Sequence, residues 1–161
     1  MHMRSICLLA ALLAACGGKS AIDYHTEARA ALDAGRHAEA VALADEALAR
    51  EDVRADAPAA WRLEQVRLEA LARSGEGAWV ATELERLAAA YPKQVGASLY
   101  RSLADKAKEA GDTSGAIDVL TAGDQRFPEE HASFVEAIEA LQATGSLDPA
   151  QVQRLKALGY L

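Results

Sequence analysis

Apolar side chains recur along this chain in short stripes at helical spacing, punctuated by glycines. In residues 97–128, Leu99, Tyr100, Leu103, Ala104 and Ala107 fall on one helical face, and Ala116, Ile117, Val119, Leu120 and Gly123 fall on another. Gly111-Asp112 separates the two stripes and Pro128 ends the second. The same punctuation runs through the rest. Ser20 with Asp23 reads as a capping box that opens a helix to about residue 34. Gly35 breaks it, a second helix runs over 38–50, and 51–56 reads as a linker. Asp56 with Pro58 opens a third helix, Ser74-Gly75-Glu76-Gly77 breaks it, and the next ends before Tyr91-Pro92. A helix over 129–143 stops at Thr144-Gly145. Asp148-Pro149 then starts a short terminal helix with Val152, Leu155 and Leu158 on one face and Gly159 beyond its end. The pattern predicts an all-α fold of about seven to eight antiparallel-packed helices with a short C-terminal capping helix.

Composition supports helices that approach closely. Hydrophobic residues make up 51% of the 161 and aromatics only 5%, so alanine carries the apolar surface. Alanine has the highest helix propensity, and β-branched residues are sparse. Asparagine is absent, which removes the commonest hairpin turns. The formal charge of −7 argues against a nucleic-acid partner, which would need a basic footprint. Both cysteines, Cys7 and Cys16, precede residue 20, leaving no thiol in the body for a disulfide, zinc site or nucleophile.

The turn glycines Gly35, Gly75 and Gly111 recur at intervals of 40 and 36 residues (75 − 35 and 111 − 75). Eleven residues before Gly35, Gly111 and Gly145 stand Tyr24, Tyr100 and Phe134. Ala28 and Ala104, Ala40 and Ala116, and Ala47 and Gly123 also share positions relative to Gly35 and Gly111. This set resembles the tetratricopeptide repeat, a helix pair of 34 residues that stacks into a solenoid. The second unit departs from it, with Glu64, Leu68, Val80 and Leu87 in the matching places and a register that a one-residue shift would alter. The resemblance implies repeats over about 21–52, 57–92 and 97–128, a half repeat over 129–145 and a capping helix over 146–161.

Residues 1–15 have the parts of an export signal: Arg4, an apolar run over 6–13, then small residues. Leu13-Ala14-Ala15-Cys16 resembles the bacterial lipobox, which implies a covalent lipid on Cys16 as the only attached group and no other cofactor. Residues 16–20 would then be a lipidated tether. An ordinary signal cut nearby would instead leave a soluble exported protein. Gly17, rather than Asp, resembles an outer-membrane sorting signal, placing the chain in the cell envelope facing the periplasm.

Phosphate loops, nucleophile elbows, zinc-helix and EF-hand motifs are all missing from the sequence. His25, His37 and His131 lie far apart in it, and the Glu83/Glu85 and Glu129/Glu130 pairs read as helix-surface charges. No catalytic or metal site is expected. Trp61 and Trp79 are expected to pack between repeats. The exposed stripes of the first helix of each pair offer a candidate partner-binding groove: His25 and Arg29; Arg62, Gln65, Glu69 and Arg73; Arg101, Asp105 and Lys108. An alternative is a solvated face laced with pairs such as Arg101 with Asp105. The expected function is a membrane-anchored adaptor binding another envelope protein or peptide. The rival is a constitutive structural or regulatory subunit of an envelope assembly complex, as in lipoproteins that assist barrel assembly or secretin targeting.

Overall fold

The computed structural model describes residues 19–145 and 147–161, and the signal-like segment and Cys16 lie outside them. The described residues are helical, without strands. The helices are α1 (Ala21–Asp33), α2 (His37–Leu48), α3 (Glu51–Ala55), α4 (Ala57–Arg73), α5 (Gly77–Ala90), α6 (Ala97–Glu109), α7 (Thr113–Arg126), α8 (His131–Ala143) and α9 (Pro149–Leu158). A single 3-10 turn, Pro128–Glu130, precedes α8.

One turn design is reused. At the end of α1 the Gly35 N–H donates to the Leu32 carbonyl (2.9 Å) and the Arg36 N–H to that of Ala31 (2.9 Å). Gly75 and Glu76 repeat this on α4, Gly111 and Asp112 on α6, and Gly159 and Tyr160 on α9. These paired bonds satisfy carbonyls that a helix end leaves open, and they need a left-handed residue. Gly35, Gly75, Gly111 and Gly159 supply it, with φ between 74° and 85°.

The turns at Gly35, Gly75 and Gly111 each fold the next helix back on its predecessor, giving the hairpins α1/α2, α4/α5 and α6/α7. The first members lie side by side, α1 on α4 and α4 on α6, while α2 packs on α4 and α5 on α7. One core cluster runs from α4 to Leu155 of α9, and two smaller ones hold α1, α2 and α3 against α4. The repeated small positions are all buried: Ala28, Ala40, Ala47, Ala104, Ala116 and Gly123. A Cβ on Gly123 would stand 2.5 Å from Phe134 Cε1. The tightest crossing lies between α5 and α7, where a Cβ on Gly77 would come within 2.4 Å of the Gly115 Cα. There the Asp112 carboxylate accepts the N–H groups of both Gly115 (2.8 Å) and Gly77 (2.8 Å), so one side chain caps two helices.

The expected linker over 51–56 is partly helix α3. Glu51 and Asp52 favour a helix N-terminus, Arg54 donates to the Ala49 carbonyl at the end of α2 (2.7 Å), and Val53 is buried. In the second unit Leu68, Val80 and Leu87 are buried, and Glu64 occupies the place of the aromatic. Helix α9 lies along α7: Gln151 Nε2 donates to Ser114 Oγ, Arg154 reaches Asp118, and Tyr160 Oη donates to Asp124. Its expected apolar face is only half used, since Leu155 is buried but Leu158 stays 46% exposed. The tryptophans part company too. Trp61 packs on Tyr91 with ring centroids 5.2 Å apart, whereas Trp79 is 57% exposed.

Candidate functional site

The face built from α1, α4 and α6 brings three of the candidate residues, Arg29, Glu69 and Arg73, together around one carboxylate. Glu69 Oε2 accepts from Arg29 Nη1 of α1 (3.0 Å). Its Oε1 faces Arg73 one turn along α4 (3.1 Å) and Lys106 of α6 (3.0 Å). Burial acts to raise the Glu69 carboxyl, but hydrogen bonds from Lys106 and Arg29 outweigh it and hold the group below its usual range. Three cations share one anion, so the cluster keeps positive charge on an acidic chain. Lys106 is the member sequence reasoning missed. It stands one place beyond the stripe that holds Asp105, and only the lateral approach of α6 to α4 brings it in.

The other candidates divide. Among the described residues, the side chains of Arg62 and Gln65 on α4, and of Asp105 and Lys108 on α6, make no hydrogen bond or ion pair. His25 is half-buried on α1; burial first, then the positive charges of Arg29 and Arg62, holds its imidazole below the ordinary value. Arg101 does not pair with Asp105. It reaches Glu130 just before α8 (3.4 Å) and donates to Ser133 in its first turn, with its guanidinium over the Phe134 ring at 5.8 Å.

A second charged group lies between α2, α4 and α5. Arg67 donates to Asp45 (2.6 Å) and Glu83 (2.6 Å), and Arg86 to Glu64 (2.7 Å) and Glu83 (2.8 Å). Glu83 is therefore a buried network residue and not a surface charge. Burial acts to raise its carboxyl, and hydrogen bonds from Arg86 and Arg67 draw it below the usual range. The Oε2 of Glu64 is buried without a hydrogen bond, with Arg67 Nη1 3.6 Å away. These side chains line a cleft of about 310 Å³. The carboxylates and guanidinium groups there are already matched to one another, so the cleft offers a ligand little unpaired charge.

Among the described residues no three histidine, cysteine, aspartate or glutamate side chains are grouped as metal ligands, and no helix is long and apolar enough to cross a membrane. No protein-family model, curated protein or solved structure matches the chain.

Proposed function

We propose that the chain is a lipid-anchored adaptor of the bacterial cell envelope, a tetratricopeptide-like solenoid whose α1/α4/α6 face receives a segment of a partner protein. The recurring glycine turn, the aromatic eleven residues before it and the small residues at shared positions support the repeat reading. In that reading α8 is a half repeat and α9 a capping helix, held on α7 through Gln151, Arg154 and Tyr160. The face formed by the first helix of each pair is then the concave one.

The observation that carries the binding role is Glu69 with its three cations. Together with unpaired Arg62 and Lys108 they make this face positive on a chain of net charge −7. An acidic, extended segment is drawn to it and repelled by the rest of the surface. The lipid on Cys16 supplies the location, from the lipobox-like Leu13-Ala14-Ala15-Cys16.

Two measurements test the two halves. Cells fed a clickable fatty-acid analogue should label the wild type and not Cys16→Ser; an unlabelled wild type overturns the anchor. Affinity capture from detergent-solubilised envelopes should yield a protein whose recovery falls with salt and falls further for Arg62→Glu with Lys108→Glu. A partner retained equally by that variant places the docking surface elsewhere. A partner held at constant stoichiometry through high salt makes the chain a constitutive subunit.

A further inference from the structure

The corner of the molecule where α1 begins has an unusual surface. Ile22, in the first turn of α1, is 69% exposed, more than any other large apolar side chain described. Beside it a cleft of about 270 Å³ opens between α1 and α4, lined by Ala21, Ile22, His25 and Arg62. Arg62 has no counter-ion there, and Arg29, one turn beyond His25, shares its only carboxylate with Arg73 and Lys106. The His25 imidazole, lowered by burial and then by Arg29 and Arg62, registers that positive field.

An exposed isoleucine beside an unpaired arginine, with a second arginine whose carboxylate is shared among three cations, is the composition of a membrane-interface contact, with an apolar tip for the acyl boundary and positive charge for lipid phosphates. The position fits as well. Ser20 caps α1, and Cys16 stands four residues earlier, directly behind the apolar run over 6–13. Fully extended, four residues reach ~13–14 Å at ~3.3–3.6 Å each. The corner is thereby confined to within about one to two Debye lengths of the bilayer at physiological salt.

We infer that this corner rests on an anionic membrane surface, with Ile22 entering the interface, Arg62 turned to lipid phosphates and Arg29, held on Glu69, adding its positive field. The inference builds on the anchored reading above and adds an orientation to it. One isoleucine and two arginines are too few to hold a free protein on a membrane. A tether converts their contact into an intramolecular event at high effective concentration, where a weak preference is enough to fix a pose. The rest of the α4/α6 face is left open to a partner.

A photo-crosslinker reads this directly. Benzoylphenylalanine is placed at Ile22 or, as a control, at exposed Trp79 of the full chain in living bacteria, and the cells are irradiated. The expected product at position 22 is a phospholipid adduct, with little at position 79. Arg62→Gln should lower the lipid adduct on the order of fivefold, from the charge contribution of one basic residue near an anionic surface. The full chain in vesicles of phosphatidylethanolamine with phosphatidylglycerol should give the same adduct, and less in phosphatidylcholine alone. A protein adduct at position 22 overturns the inference and assigns the corner to the partner, and equal lipid yields at 22 and 79 also overturn it. Fatty-acid labelling in the same cells separates the two failures. A labelled protein without a lipid adduct at 22 removes this orientation alone, whereas an unlabelled, soluble protein removes the anchor and the orientation together.

Discussion

Burying Glu64, which is only 5% exposed, costs the chain the hydration of a carboxylate, and Arg86 and Arg67 offset that cost. Tyr24 holds the equivalent place in the first hairpin and donates its hydroxyl to Glu46 (2.5 Å). Glu64 and Arg86 sit eleven residues either side of Gly75, as Tyr24 and Glu46 sit either side of Gly35, so an ion pair replaces a neutral donor at the same station. Arg86→Met leaves Glu64 Oε1 without its donor and should lower stability by ~1–3 kcal/mol, the cost of an unsatisfied buried polar group. Arg36→Met breaks an exposed pair with Glu39 and should cost no more than ~1 kcal/mol. Equal urea midpoints for the two variants would show that Glu64 is hydrated in the folded state. The network also sets a pH dependence. Glu83 and Glu69 have folded-state carboxyls below their ordinary value of 4.5, so the folded state binds fewer protons than the unfolded chain as pH falls. Their stabilisation is complete above the unfolded value and is lost as pH drops through the folded one. Urea midpoints should therefore fall steadily below about pH 4.5, and Glu83→Gln should flatten that decline.

Among the elements, α5 and α7 depend on two glycines and α9 on one leucine. Gly115→Ala would set a Cβ 2.6 Å from the Gly77 Cα and against the Asp112 carboxylate that caps both helices. Overpacking of this kind costs ~1–3 kcal/mol, so the thermal midpoint should drop by several degrees while Ser98→Ala on exposed α6 surface leaves it in place. For α9 the comparison is Leu155→Ala against Leu158→Ala. The first empties a fully buried site and should cost ~2–5 kcal/mol, and the second should stay within ~0.5 kcal/mol. Similar losses at both positions would mean that the whole terminal helix caps the array. Most helix boundaries could be read directly, because Ser20, Asp56, Asp112 and Asp148 are local caps and Gly35, Gly75 and Gly111 are local stops. What could not be read depends on distant neighbours. Helix α3 persists because Val53 finds a core made by α1, α2 and α4. The roles of Glu83 and Lys106 were hidden for the same reason, since their partners stand on other helices. Glu64 did leave a trace, a charge where three equivalent positions carry rings.

On the scale of the whole molecule, charge is distributed unevenly, and that asymmetry makes the binding proposal testable without disturbing the fold. Arg29, Arg73 and Lys106 already serve Glu69, and Arg101 joins α6 to the start of α8, so reversing any of these would confuse lost binding with lost structure. Arg62 and Lys108 touch no carboxylate, lie on neighbouring helices of one face, and are the cleaner pair. Arg62→Glu with Lys108→Glu should leave the thermal midpoint unchanged, because neither residue stabilises a neighbour. Exposed charge pairs contribute only ~0–1 kcal/mol each, so each single change should weaken capture of the partner modestly and the double change more than either. Raising salt should narrow the gap between wild type and double variant, as the Debye length shrinks from ~10 Å at 0.1 M to ~3 Å at 1 M. The measurement is a titration of the captured partner against both proteins at low and high salt, with thermal melts alongside. If the double variant melts normally and binds as wild type does at low salt, the positive face is solvated surface and the partner docks on another side. If binding falls only where the melt also falls, the substitutions act through the fold. A loss of affinity at low salt with an unchanged melt, measured in detergent where no bilayer engages Arg62, assigns the α1/α4/α6 face to the partner.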